Sequence, residues 1–176
     1  GNSASFAIFA EKVIVEINTN LSPAFEGLHD IYIPTYRPTR QPIPLTQVDE
    51  RIGTHAINID PAKIVGIVIN NDLHDSPSTV TAPDDETQGI ADHLIAFFEK
   101  EVAEERLPKN LGPLQAGIGS IANAVLTGLK DSNFEDLVMY SEVLQDCTFE
   151  LIDAGKMKFA SGSSITLSAK YGEKVF

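Results

Sequence analysis

The sequence predicts an α/β protein with mainly parallel sheets, divided into two pieces near residue 83, and three observations lead there. Val13 to Ile17 and Lys63 to Ile69 are runs rich in β-branched residues, the near-continuous apolar pattern of strands buried in parallel sheets. From Leu114 onward, segments of strand and helix character alternate, which implies right-handed parallel βαβ units. Between these regions Asn70 to Pro83 is polar and turn-rich and reads as a boundary.

The elements follow in order. The chain opens on Gly1 instead of methionine, and Ala7 to Ile17 reads as a helix tail running into an apolar strand, as in a chain that starts inside a domain. Pro34, Pro38, Pro42 and Pro44 then exclude a helix through to Pro61 and predict a long surface excursion with at most one edge strand. Lys63 to Ile69 supplies the second core strand.

Asp84, Asp85 and Glu86 place negative charge where a helix N-terminus favours it. Ile90, Leu94, Phe97, Phe98 and Val102 recur at helical spacing, predicting a helix of about six turns that buries this face and ends near Leu107-Pro108. Glu99, Glu101, Glu104 and Glu105 would face water. Leu114 to Ala116 then reads as a short strand, Ser120 to Lys130 as a helix, Leu137 to Ser141 as a strand, and Asp146 to Ala154 as a helix stopped by Gly155. There is no internal repeat and no low-complexity tract.

With 43% hydrophobic and 22% charged residues, the composition is that of an ordinary folded chain. A net charge of −12, with only 13 lysines and arginines spread along the sequence, argues against nucleic acid as a partner. No apolar run approaches the roughly 20 residues that cross a bilayer, so no membrane association is expected. Cys147, the single cysteine, has no disulfide partner in the chain, which favours a reducing, cytoplasmic setting, or a mitochondrial one in a eukaryote.

Two features carry chemistry. Gly117-Ile118-Gly119 lies between a strand and a helix, where glycines permit a tight turn and let a ligand approach backbone N–H groups at the helix start. Glycines also end strands for steric reasons alone. Glu142 follows directly on the strand Leu137 to Ser141, at the carboxyl end where parallel sheets form ligand crevices, although most acids in such a position are simply solvated. A rival reading takes Gly117 to Ala122 as a dinucleotide fingerprint and Glu142 as the ribose-binding acid. It is weakened by the short, polar Leu114-Gln115-Ala116 where a long apolar strand would be required.

The stretch from Pro108 to Leu129, PKNLGPLQAGIGSIANAVLTGL, followed by YSEVLQD from Tyr140 to Asp146, resembles the signature of the acetyl-CoA hydrolase/transferase family, which includes succinyl-CoA:acetate CoA-transferases. KVIVEIN from Lys12, HDIYI from His29, DERIG from Asp49 and IDPAK from Ile59 resemble it too, so the similarity runs through essentially the whole chain.

The resemblance implies a CoA-transferase-like fold. Residues 1–83 would be the C-terminal part of a first domain, and 84–176 a connecting helix with the N-terminal part of a second. It implies Glu142 as the nucleophile, attacking an acyl-CoA thioester to form a glutamyl–acyl anhydride and then a glutamyl-CoA thioester, which a second carboxylic acid resolves. Water in that acid's place would make the enzyme a hydrolase. The N–H of Ile118 becomes an oxyanion donor, and Leu114, Gln115, Ala116, Gly117, Ile118 and Gly119 line the CoA thiol arm. Further pocket residues are expected beyond Phe176.

On this reading coenzyme A is a substrate, no cofactor is permanently bound, the partners are acyl-CoA and small carboxylates, and the full-length protein is a homodimer. A non-catalytic α/β nucleotide-binding module is the other alternative. Asn123, on the first turn after Gly119, either supports Glu142 or the loop or bonds to nearby backbone. Cys147 reads as packing. Arg37, Arg40 and Arg51 read as solvated surface that could also steer anions. His29, His55, His74 and His93 are too scattered to hold a metal.

Overall fold

A computed structural model describes residues 3–72 and 83–175, and the chain falls into two compact units, one within residues 1–76 and the other within 77–175. The segment expected to be turn-rich, Asn70 to Pro83, lies mostly outside the described residues.

In the first unit a helix, α1 (Ser3–Phe9), leads into β1 (Val13–Asn18), which pairs in parallel with β2 (Ile64–Asn70). Lys63 Nζ donates to the Ile8 carbonyl at 2.5 Å, supplying a positive charge and a donor to the end of α1. Between the strands the chain makes two 3₁₀ turns, Pro23–Phe25 and Pro61–Lys63, capped by Ser22 and Asp60, with the proline-rich stretch from Pro34 to Pro61 between them, and one isolated antiparallel bridge joins Ile31 to Thr54. At that bridge Asp30 accepts from Gly53 N–H at 2.6 Å, while a Cβ on Gly53 would lie within 2.7 Å of the Ile31 backbone, so only glycine fits. Arg51 is more than solvated surface: its guanidinium donates to the carbonyls of Gly27 at 2.8 Å and His29 at 2.6 Å, fastening the excursion to itself.

Among the described residues, little packs on the faces of β1 and β2. Ile14, Ile67 and Ile69 are 67%, 62% and 71% exposed. A parallel sheet is buried only when helices cover both faces, and this unit sets one seven-residue helix, with Ala4 its only buried residue, against a two-stranded sheet.

The second unit starts with α2 (Asp85–Ala103), fixed at its N-terminus by a reciprocal cap. Asp84 accepts from Thr87 N–H at 2.9 Å and the Thr87 hydroxyl accepts from Asp84 N–H at 3.0 Å, an arrangement worth about 1 kcal/mol. The helix is shorter than its apolar pattern implies. It stops because Glu105 takes a left-handed φ of 59° and Arg106 N–H returns to Glu101 O at 2.8 Å, while the Arg106 side chain pairs with Glu101 and Glu104. Glu101 therefore turns to Arg106 instead of standing free in water. The buried face is also rotated from expectation: Thr87, Ala91, Ile95, Phe98 and Val102 face inward, leaving Ile90 and Phe97 exposed.

Beyond it lies a three-stranded parallel sheet in the order β3 (Pro113–Leu114), β4 (Leu137–Leu144), β5 (Met157–Ile165). Helices α3 (Ser120–Asp131) and α4 (Asp146–Asp153) connect successive strands, and α5 (Ala169–Val175) follows. The core gathers Leu126 and Leu129 of α3, Leu137 and Met139 of β4, Leu151 of α4 and Met157 of β5. Each such burial stabilises by roughly 1.5–3 kcal/mol. Lys130 and Glu150, 3.0 Å apart, tie α3 to α4.

The strand β4 runs three residues past Ser141 because β5 lies beside it, with Ser141 opposite Gly162 and Leu144 opposite Ile165. Glu142 is consequently inside the strand, not in the loop after it.

Candidate functional site

The turn that the glycines mark is a strand–loop–helix junction. Ladder pairing of β3 with β4 ends at Leu114 opposite Met139, and Gln115 to Gly119 carry the chain to α3. Gly119 is the N-cap of α3, with φ 143° and ψ 169°, a region essentially closed to residues with a Cβ. It supplies no side-chain cap, so the first N–H groups of α3 keep their hydrogen-bonding capacity for a ligand. Nothing lies within 4 Å of where a Cβ on Gly117 would sit, and Ile118 is 73% exposed. Among the described residues no protein group accepts from the N–H of Gly117, Ile118 or Gly119.

This loop and the first turn of α3 line a cavity of about 510 Å³, closed by Phe98 of α2 and by Leu126 and Leu129. Leu114, Gln115, Ala116, Gly117, Ile118 and Gly119 all border it, and no charged side chain does. Such a lining suits an apolar or thioether-like arm whose polarity is met by backbone groups.

The loop is tied to β4 by Ser141, which the sequence reading did not single out. Its hydroxyl donates to Ala116 O at 2.9 Å and accepts from Ala116 N–H at 3.3 Å, in a buried position. A serine one residue before a candidate nucleophile was the only signal in the sequence.

Glu142 is exposed and does not border the cavity. Strand alternation sends it to the face opposite Ser141, and its backbone carbonyl accepts from the Ser163 hydroxyl at 2.7 Å. The structure thus brings the six loop residues and Ser141 together, with Glu142 on the same strand.

Asn123 has a different partner from those expected. It is buried, and its Oδ1 accepts from the Cys147 thiol at 3.5 Å, because the side chain turns inward between α3 and α4. Burial pushes the Cys147 thiol up to about 11, so the sulfur stays protonated at neutral pH. The dinucleotide rival meets a two-residue β3 where its fingerprint needs a full first strand. No helix among the described residues is long and apolar enough to cross a membrane, and none of their His, Cys, Asp or Glu side chains form a metal-holding cluster.

Residues 1–69 match the model of the acetyl-CoA hydrolase/transferase N-terminal domain. Over all 176 residues the chain is 47% identical to an acetyl-CoA hydrolase of Eremothecium gossypii and 43% identical to one of Saccharomyces cerevisiae, covering 33% of each. Over 171 residues it is 47% identical to an acetyl-CoA hydrolase of Neurospora crassa, covering 95% of this chain and 31% of that protein. The chain therefore spans about a third of the length of the curated relatives it matches. Among solved structures it resembles RipA from Yersinia pestis, with a TM-score of 0.52 and 21% identity over 94% of this chain and 34% of the other, a likeness of fold.

Proposed function

We propose, from the similarity of the whole chain to the acetyl-CoA hydrolase/transferase family, that it carries the nucleophile and the oxyanion loop of a CoA-transferase working through a glutamyl-CoA thioester. The observation that carries the reading is the loop Leu114 to Gly119, which borders an uncharged cavity, presents unpaired N–H groups and is fastened to the strand that bears Glu142.

The Glu142 carboxylate attacks the thioester carbonyl of acetyl-CoA or succinyl-CoA, and the Ile118 N–H donates a hydrogen bond to the developing oxyanion. Collapse expels CoA thiolate and leaves a mixed glutamyl–acyl anhydride. The thiolate then attacks the glutamyl carbonyl, releasing the first carboxylic acid and leaving CoA on Glu142. A second carboxylate attacks this thioester and the steps run in reverse. The loop donor serves each tetrahedral intermediate, and one such donor is worth about 3 kcal/mol of barrier.

A second reading is favoured by the relatives' names: water resolves the glutamyl thioester and the protein is an acetyl-CoA hydrolase. Both readings use acyl-CoA as substrate, require no permanently bound cofactor, and belong to a cytoplasmic or mitochondrial protein, homodimeric at full length. The test is the steady-state consumption of acetyl-CoA by the full-length protein with and without added succinate, an acceptor that differs from the acetate released. A transferase shows acid-dependent turnover with parallel double-reciprocal lines; acid-independent turnover supports the hydrolase, and no turnover at all contradicts both.

A further inference from the structure

We infer that Ser141 is the positioning residue of the oxyanion loop, setting the place of the Ile118 N–H through both backbone groups of Ala116. The inference rests on the reading that Glu142 attacks an acyl-CoA thioester beside that loop.

β3 and β4 pair at Pro113 opposite Val138 and at Leu114 opposite Met139. Carried two residues further, the same register sets Ala116 opposite Ser141, where the backbone ladder has already ended. The Ser141 hydroxyl takes the ladder's place, donating to Ala116 O at 2.9 Å and accepting from Ala116 N–H at 3.3 Å. One side chain thereby replaces a lost pair of backbone hydrogen bonds.

Beyond Ala116 the next anchor is the start of α3, where the Gly119 carbonyl accepts from Asn123 N–H at 3.0 Å. Gly117 has no neighbour within 4 Å of a would-be Cβ, and Gly119 occupies backbone space reserved for glycine. The Ile118 N–H is thus placed between two anchors, the Ser141 clasp at Ala116 and the start of α3 at Gly119, with only the unhindered Gly117 between Ala116 and Ile118. Ser141 is only 9% exposed, so water does not readily substitute for its hydroxyl once removed. Because alternation points Ser141 away from the Glu142 face, it orients the donor without touching the reacting atoms.

The test compares Ser141→Ala and Ser141→Thr with Thr148→Val in the full-length protein. Thr148 is a buried hydroxyl on α4 that meets Met139 Sδ at 3.8 Å and makes no hydrogen bond to residues 115–119. Measured are kcat and KM for acetyl-CoA, and amide hydrogen exchange at residues 115–119. Ser141→Ala is expected to lower kcat about 10- to 100-fold with a smaller change in KM, and to speed exchange in the loop. Ser141→Thr, which keeps the hydroxyl, is expected to retain most of kcat, and Thr148→Val to leave kcat and loop exchange unaltered.

Wild-type kcat in Ser141→Ala, an equal kcat loss in Thr148→Val or Ser141→Thr, or unchanged loop exchange overturns the positioning role while the wild-type protein still takes up CoA covalently. A wild-type protein that neither consumes acetyl-CoA nor gains a CoA adduct overturns the acyl-transfer reading, and the positioning role with it.

Discussion

Asp146 grips Ser168 with both carboxylate oxygens: Oδ1 accepts from the Ser168 backbone N–H at 2.9 Å and Oδ2 from its hydroxyl at 2.5 Å. The pair joins the first residue of α4, just past the strand that bears Glu142, to the segment between β5 and α5. Asp146 is buried, so losing it leaves a donor without an acceptor.

Asp146→Ala should therefore cost roughly 1.5–3 kcal/mol, the range for hydrogen bonds to a charged group. Urea unfolding of the variant and the parent checks this, read from the shift in midpoint at constant slope. A variant as stable as the parent would show that the grip contributes nothing net.

The two loop glycines should respond differently to alanine. Gly119→Ala forces a Cβ into backbone space that it rarely occupies, and should cost about 1–3 kcal/mol of stability. Gly117→Ala meets no protein atom within 4 Å, so its stability should stay within about 0.5 kcal/mol of the parent. Its KM for acetyl-CoA should nevertheless rise, because the added methyl projects from a loop that lines the cavity. Thermal unfolding and steady-state kinetics on both variants separate the two effects.

Cys147 gives a pH signature. Burial raises its thiol from an ordinary value near 9 to about 11. Below pH 9 the thiol is protonated in both folded and unfolded chains and contributes no pH dependence. Between about pH 9 and 11 the unfolded chain releases the proton and the folded chain does not, so stability falls as pH rises, by on the order of 2 kcal/mol. Cys147→Ala should remove that component of the pH profile. Alkylation of the parent at pH 8 should be slow until denaturant is added.

Local pattern made much of the second unit legible. The acids at Asp84 to Glu86 announce the start of α2, and the two glycines announce the junction before α3 because a tight turn requires backbone freedom. The phase of α2 was not legible: Ile90 and Phe97 are as apolar as Ile95 and Phe98, and only the packing of α3 decides which pair is buried. β5 escaped notice because Ser161, Gly162, Ser163 and Ser164 lack the β-branched pattern of a strand, and its formation depends on pairing with β4. That pairing is also what draws Glu142 into β4. Ser141 could not be read as a clasp, since its partner lies 25 residues away and the hydrogen bond exists only once β3 and β4 are side by side. β1 and β2 were legible as strands but not in their exposure, which depends on what packs on them.

The claim that Glu142 carries the CoA is tested most directly by intact-protein mass spectrometry of the full-length protein after exposure to acetyl-CoA, beside a Glu142→Ala control. A CoA-sized mass gain in the parent and its loss in the control is the expected result. No gain in either, with acetyl-CoA left intact, would contradict the glutamyl thioester; an equal gain in both would place the covalent chemistry on another residue.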